Sequence, residues 1–199
     1  MAILTGNKVS LRPIERGDLE KLNQWKNDDA VYQNLGGGFM LVSINIQEKW
    51  IDSLMDTTGN NKRFINETHE GEAIGMIGLY SISWIHRTCE LGIFIGEKEQ
   101  QGKEYGKEAY QLLENFAEKY LNLRKIKAFV VAYNASATML YDRLGFRKAG
   151  ELLKERYING TYHSVSIIEK FLGRLRTVKN LFLEQPFICT VSCQGGCVI

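Results

Sequence analysis

The spacing of hydrophobic and polar positions changes several times along the chain, and each change predicts an element. Val9 and Leu11 alternate with polar neighbours ahead of Pro13, which predicts a first strand. Gly17-Asp18 then signals the start of a short helix carrying Leu19, Leu22 and Trp25. The run Gly36-Gly37-Gly38 reads as a loop, because three glycines have too much backbone freedom for a regular element. Asn45 followed by Glu48 has the spacing of a capping box, and Ile46, Trp50, Ile51 and Leu54 recur on one face of a second helix. Phe64-Ile65, Ala73 to Ile82, and Leu91 to Ile95 are short and rich in β-branched or aromatic residues. With turn material such as Glu70-Gly71-Glu72 between them, they predict consecutive antiparallel strands.

From Gly106 the period lengthens. Ala109, Leu112, Leu113, Phe116, Ala117 and Tyr120 are spaced by three and four residues, which predicts a strongly amphipathic helix. Ile126 to Val131 reads as a buried strand and Ala135 to Leu144 as a helix stopped by Gly145, while two late strands flank the turn dipeptide Asn159-Gly160. The predicted order is strand, two helices, three strands, helix, strand, helix, two strands. A meander joined to strand-helix-strand crossovers implies an α+β fold: a mixed sheet, mostly antiparallel with a parallel pair, flanked by helices. Ligands often sit in the gap that a parallel crossover leaves at the strand ends. The patterning stops near Phe171, so residues 1–171 are expected to form a single domain and 172–199 an appendage without a readable role, including the basic stretch Arg174 to Lys179.

Composition narrows the function. At 199 residues, 44% hydrophobic and 24% charged, the chain can bury a sizeable core as an ordinary folded domain. A net charge of +2 with interspersed signs gives no field for nucleic acid or membrane surfaces. The start lacks the apolar core of a signal peptide, and no run reaches the roughly 18 apolar residues of a membrane-spanning helix, so a cytoplasmic protein is expected. Cys189, Cys193 and Cys197 crowd the tail while Cys89 stands alone. This is no disulfide framework, and without a nearby histidine it matches no familiar zinc spacing, so no metal is expected.

The stretch Gln100-Gln101-Gly102-Lys103-Glu104-Tyr105-Gly106-Lys107-Glu108-Ala109 lies between a predicted strand and the long helix. Backbone N–H groups at a helix start can grip a diphosphate, glycines let the backbone approach it, and Lys103 or Lys107 can add countercharge. Local chemistry alone fits an ordinary polar turn equally well.

The same segment resembles the coenzyme A-binding motif of the GNAT superfamily of N-acetyltransferases, Gln/Arg-x-x-Gly-x-Gly/Ala, with Gln101 and Gly106 in the matching places. Glu104 departs from it, standing where the family has glycine. A carboxylate there should crowd or repel the diphosphate unless it swings outward. A second match is complete: Asn134-Ala135-Ser136-Ala137-Thr138-Met139-Leu140-Tyr141-Asp142-Arg143-Leu144-Gly145-Phe146 resembles Asn-x-x-Ala-x-x-x-Tyr-x-x-x-Gly-Phe. The resemblance implies that acetyl-coenzyme A is the acetyl donor, that Asn134, Ala137 and the loop Gln101 to Lys107 hold it, and that Tyr141 protonates the departing thiolate. It further implies that backbone amides of Phe94, Ile95 and Gly96 pair with the pantetheine arm and polarise the thioester carbonyl.

Leu11-Arg12-Pro13 with Asp18, the stretch Trp25-Lys26-Asn27-Asp28, and Gly150 with Asn159-Gly160-x-Tyr162 extend the resemblance over residues 7 to 171, within the branch of ribosomal-protein and spermidine acetyltransferases. Ile85-His86-Arg87 and the late hairpin lean toward the spermidine enzymes, although Ser164, with His163 before it, stands where those enzymes commonly have aspartate. The implied acceptor is an amine, either a small molecule such as a polyamine or amino sugar, or a protein N-terminus. A homodimer or higher homo-oligomer is implied by resemblance alone.

Attack by a neutral amine needs a proton acceptor, for which Glu90 is the candidate and His86 the rival. Glu48, Asp52 and Asp56 lie on or beside the second helix as further carboxylates for a polyamine. The alternative reading, a non-catalytic coenzyme A sensor or interaction module, rests on Glu104 and is opposed by Tyr141, since binding alone needs no acid beside the sulfur.

Overall fold

The computed structural model describes residues 4–32, 35, 39–54 and 58–173. The triglycine loop, Asp56, the basic stretch after Gly173 and the three tail cysteines lie outside the described residues. The elements are β1 (Leu4–Thr5), β2 (Val9–Arg12), α1 (Leu19–Lys26), α2 (Asp29–Tyr32), α3 (Ile44–Ser53), β3 (Lys62–Thr68), β4 (Ala73–Ser83), β5 (Thr88–Ile95), α4 (Tyr105–Lys119), β6 (Lys125–Val131), α5 (Ala135–Arg143), β7 (Arg147–Ile158) and β8 (Thr161–Phe171). Short 3-10 turns precede α1 at Arg16–Asp18 and α4 at Lys98–Gln100. Among the described residues, no helix is long and apolar enough to cross a membrane.

The eight strands form one sheet in the order β1-β2-β3-β4-β5-β6-β8-β7. Every neighbouring pair is antiparallel except β5 and β6. That parallel pair holds register from Thr88↔Lys125 to Glu90↔Lys127 and ends there. Beyond it, β5 stays paired with β4 as far as Gly75↔Ile95, and β6 stays paired with β8 as far as Val131↔Val165. The two strands follow different partners and therefore part, opening the sheet at its centre.

Each face carries its own core. On one, α4 lays Ala109, Tyr110, Leu113 and Ala117 against Val9, Leu11, Ile77, Leu79 and Ile126. On the other, Leu22 and Trp25 of α1 and Ile51 of α3 cover Ile65 and Met76. Burying side chains of this size stabilises by about 1.5 to 3 kcal/mol each, which explains why the helical periodicity was readable.

The structure differs from the pattern-based expectations at several boundaries. α3 is capped by Ser43, whose hydroxyl accepts from Ile46 N, rather than by Asn45. Its inward face is Gln47 and Ile51 with Trp50 beside them, leaving Ile46 exposed. β5 begins at Thr88 and so contains Glu90, because ladders with β4 and β6 continue through the polar residues that interrupt the apolar run. β1 and α2 are too short for periodicity to show.

Gly96, at the end of β5, is fixed by packing: a Cβ there would lie 2.5 Å from ring atoms of Trp25. That indole is buried, donates its Nε1–H to Glu97 Oε1 at 2.8 Å and stands edge-on to Phe94. Gly96→Ala is therefore expected to lower unfolding free energy by about 1 to 3 kcal/mol, read from the shift in denaturant midpoint. An unchanged midpoint would mean that the indole yields freely.

Candidate active site

A cleft of about 800 Å³ occupies the gap between the diverging strands. One end is walled by the loop before α4 and the start of α5, the middle by Ile93, Ile95 and Tyr141, and the other end by α2, Tyr80, Glu90, Phe94 and Arg156.

At the first end, α4 has no side-chain cap. The N–H groups of an α-helix's first turn have no partner inside the helix, and its dipole favours an anion there. Gly102 (φ +77°) and Glu104 (φ +69°) are both left-handed, which folds the loop tightly onto the helix. Glycine adopts this conformation freely, whereas glutamate is strained in it by roughly 1 kcal/mol. The Glu104 carboxylate is turned onto Arg143 Nη1 and Lys107 Nζ, each at 3.2 Å. It therefore engages the two cations that line this end.

Gln101 Nε2 donates to Ile95 O at 3.0 Å and ties the loop to β5. Gly102, Gly106 and Lys107 line the cleft, and a Cβ on Gly106 would touch only Ile93 and Leu140. Lys103 bonds Gln100 Oε1 instead, and Tyr105 packs on the α4 core, so neither contributes a side chain to the lining. An uncapped helix start, bare glycines and two cations fit the diphosphate of coenzyme A.

The amides of β5 divide by alternation. Gly96 N donates to Ile74 O at 2.8 Å, across to β4, and in an antiparallel ladder Phe94 N then points the same way. Of the three amides expected to face the pantetheine arm, only that of Ile95 is directed toward β6, and Ile93 joins it. Asn134 caps α5, its Oδ1 accepting from Ala137 N at 3.0 Å, which leaves Nδ2 as a donor in the cleft wall.

Tyr141, on α5, is buried edge-on against Phe146 at 5.1 Å. Burial pushes its phenol well above the ordinary tyrosine range, so the proton stays on at neutral pH. Glu90 sits at the fork, in the last register pair before β5 and β6 part, with Lys127 Nζ 4.0 Å from its carboxylate. His86 lies exposed in the β4–β5 turn and does not line the cleft. Glu48 and Asp52 pair with Arg16 on the surface at 3.8 and 2.6 Å.

Among the lining residues that escaped the sequence reading are Arg143, Tyr32, Tyr80 and Arg156. Arg143 stands two residues after Tyr141, at an unspecified position of the signature. Tyr80 is opposite Glu90, and its ring crosses Gly78 and Gly92 so closely that a Cβ on Gly92 would be 2.8 Å from it. Tyr32 is tilted against Phe94 at 5.6 Å, and its phenol is pushed up to about 12 by burial and by Tyr80, with Arg63 opposing. Those glycines beside a strand tyrosine were the available signal.

Comparison with known proteins agrees with this geometry. Residues 8–147 match the family model described as acetyltransferase (GNAT) domain. A spermidine N(1)-acetyltransferase of Vibrio cholerae is 29% identical over 172 residues, covering 84% of this chain and 98% of that protein. One of Escherichia coli K12 is 31% identical over 160 residues, covering 80% and 84%. The crystal structure of spermidine N-acetyltransferase from V. cholerae in complex with CoA and spermine aligns with a TM-score of 0.78 at 28% identity, over 83% of this chain and 96% of that one. The chain belongs to the GNAT family and is an acetyl-coenzyme A-dependent N-acetyltransferase.

Proposed function

We propose that the enzyme acetylates a primary amine of a polyamine, and that the cleft is divided between donor and acceptor at Tyr141. The observation that carries this reading is one continuous cleft with a helix-start anion cradle at one end and an aromatic wall beside the Glu90 carboxylate at the other. The names of its relatives support the polyamine class. Bound acetyl-coenzyme A supplies an activated thioester. On this reading, the first turn of α4, Gly102, Lys107 and Arg143 hold the diphosphate, and the amides of Ile93 and Ile95 with Asn134 Nδ2 align the arm and the carbonyl. Tyr32, Tyr80 and Phe94 flank the methylenes of the acceptor. Glu90 receives the amine proton, directly or through one water, and Tyr141 donates its proton to the departing sulfur. Residues 1–171 serve as the catalytic domain.

Thiol release from acetyl-coenzyme A with spermidine, an N-terminal peptide or an amino sugar tests the acceptor class. Release dependent on spermidine is expected; release with the peptide or sugar alone would overturn the polyamine reading. Glu104 gives a separate test of the donor end. Glu104→Gln frees Lys107 and Arg143 while retaining the left-handed side chain, and Glu104→Gly also removes the strain. Both are expected to tighten coenzyme A binding about three- to tenfold by calorimetric titration, the range for partly exposed ion pairs. Equal affinity in all three proteins would show that the carboxylate does not compete with the phosphates.

A further inference from the structure

At the acceptor end, the Tyr80 ring fills a gap in the surface of the sheet. On the face that α1 and α3 cover, β4 and β5 present the opposed pairs Met76↔Phe94, Gly78↔Gly92 and Tyr80↔Glu90. The middle pair has no side chains, so room for two of them lies open between Phe94 and Glu90. The Tyr80 ring leans back along its strand into that room. The three atoms nearest to a Cβ on Gly92 would all belong to it, the first at 2.8 Å, and a Cβ on Gly78 would lie 3.1 Å from it and 2.8 Å from Lys62 O.

The ring is also braced from β3 and α3. Arg63, opposite Gly78 on β3, places its guanidinium 5.1 Å from the Tyr80 ring centre and 5.6 Å from that of Trp50 on α3. Tyr80 is half-buried, and it lines the cleft together with Gly92 and Glu90. An amine that passes its proton to Glu90 therefore brings its first methylenes past this ring. Glycine inside a strand weakens the sheet but lets another group approach the backbone closely. Here the approaching group is a rigid ring, so the space that the two glycines open is not left to the acceptor.

We propose that Tyr80 is a specificity-determining residue whose ring, seated on Gly78 and Gly92, sets the width of the acceptor end and selects unbranched aliphatic amines over ring-bearing ones. This rests on the polyamine reading of the same site, since the chain between the amines of a polyamine is an unbranched run of methylenes. A packed ring braced on two sides does not shrink to admit a wider group, and excess bulk costs either strain or a displaced side chain. Covering strand glycines also stabilises a sheet, but that role alone would not change a preference between two amines of equal charge.

Initial rates with spermidine, 1,6-diaminohexane and 1,4-bis(aminomethyl)cyclohexane, for the parent enzyme, Tyr80→Phe, Tyr80→Leu and Tyr80→Ala, test the proposal. The two diamines carry equal charge and differ in girth. Coenzyme A titration of each variant checks that the donor end is intact. The parent is expected to favour the linear diamine. Tyr80→Ala should raise the ring-bearing-to-linear ratio of kcat/KM about tenfold, through KM rather than kcat, Tyr80→Leu should raise it in part, and Tyr80→Phe should keep the parental ratio. An unchanged ratio in an alanine variant that binds coenzyme A and turns over spermidine would overturn the width limit and leave the polyamine reading standing. If the alanine variant does not fold, an unchanged ratio in the leucine variant does the same. A phenylalanine variant that behaves like alanine would move the effect from the ring to the hydroxyl and overturn the limit, as would a parent that favours the ring-bearing diamine. No turnover of any of the three amines by any of the proteins would overturn both the limit and the polyamine reading.

Discussion

Replacing Tyr141 with phenylalanine is expected to lower kcat roughly 100-fold or more while changing coenzyme A affinity by no more than about twofold. The substitution removes one oxygen from a ring whose packing comes from its edge-on contact with Phe146 and its place on α5, both of which phenylalanine keeps. A phenol at its ordinary value of 10 is protonated across the neutral range and burial pushes this one higher, so on the proposed role the proton is in place and its transfer waits for charge to build on the departing sulfur. A thiolate leaves far more readily when it is protonated as the carbon–sulfur bond breaks, and a positioned acid contributes about 10² to 10⁴ in rate. Single-turnover rates and calorimetric titration on the same preparations separate the two effects. Equal turnover of variant and parent would remove Tyr141 from the chemistry, and a parallel loss of affinity would recast it as part of the binding wall.

Asp18→Asn should destabilise the fold by about 3 kcal/mol at neutral pH, with a loss that shrinks in acid. The buried Asp18 carboxylate receives both terminal nitrogens of Arg12 at 2.8 Å and the Glu15 N–H at 2.9 Å, while Glu67 holds the remaining Arg12 nitrogen. Burial alone would raise the pKa of Asp18; the Arg12 and Glu15 hydrogen bonds outweigh it and hold the carboxylate below its ordinary value of 3.8. The unfolded chain consequently takes up this proton first as pH falls. The stability it contributes is fully present above about pH 4 and is lost as pH drops through the depressed folded value. Denaturant curves of parent and variant at pH 7 and near pH 3 should converge on acidification. A constant difference would place the effect in packing rather than in ionisation.

Most of the architecture was legible because its signals are local. The three- and four-residue spacing from Ala109 to Ala117 specifies α4 without reference to the rest of the chain, since one stripe must meet the sheet. Asn159-Gly160 announced the β7–β8 hairpin for a similar reason: both residues take positive φ, as such a turn requires. The misplaced start of α3 shows the limit of this approach. Ser43 and Asn45 both offer capping chemistry, and the burial of Gln47 and Ile51 against the sheet selects the earlier one. The start of β5 was missed because its polar residues are held by ladders on both sides rather than by burial.

By itself the sequence determined the order of the longer elements and the two motif segments, since each depends on residues within a few turns of one another, and the family resemblance of the second motif made Tyr141 the acid candidate. Only the tertiary structure decided which carboxylate reaches the cleft. Glu90 does so because β5 and β6 part immediately after it, whereas Glu48 and Asp52 are drawn to Arg16 and His86 faces outward. It also decided that Gly96 directs its amide to β4 and that Glu104 rests between Lys107 and Arg143. The direction of a ladder hydrogen bond and the partner of a charge are set by whichever strand or helix lies alongside. That neighbour is far away in sequence, and no local pattern records it.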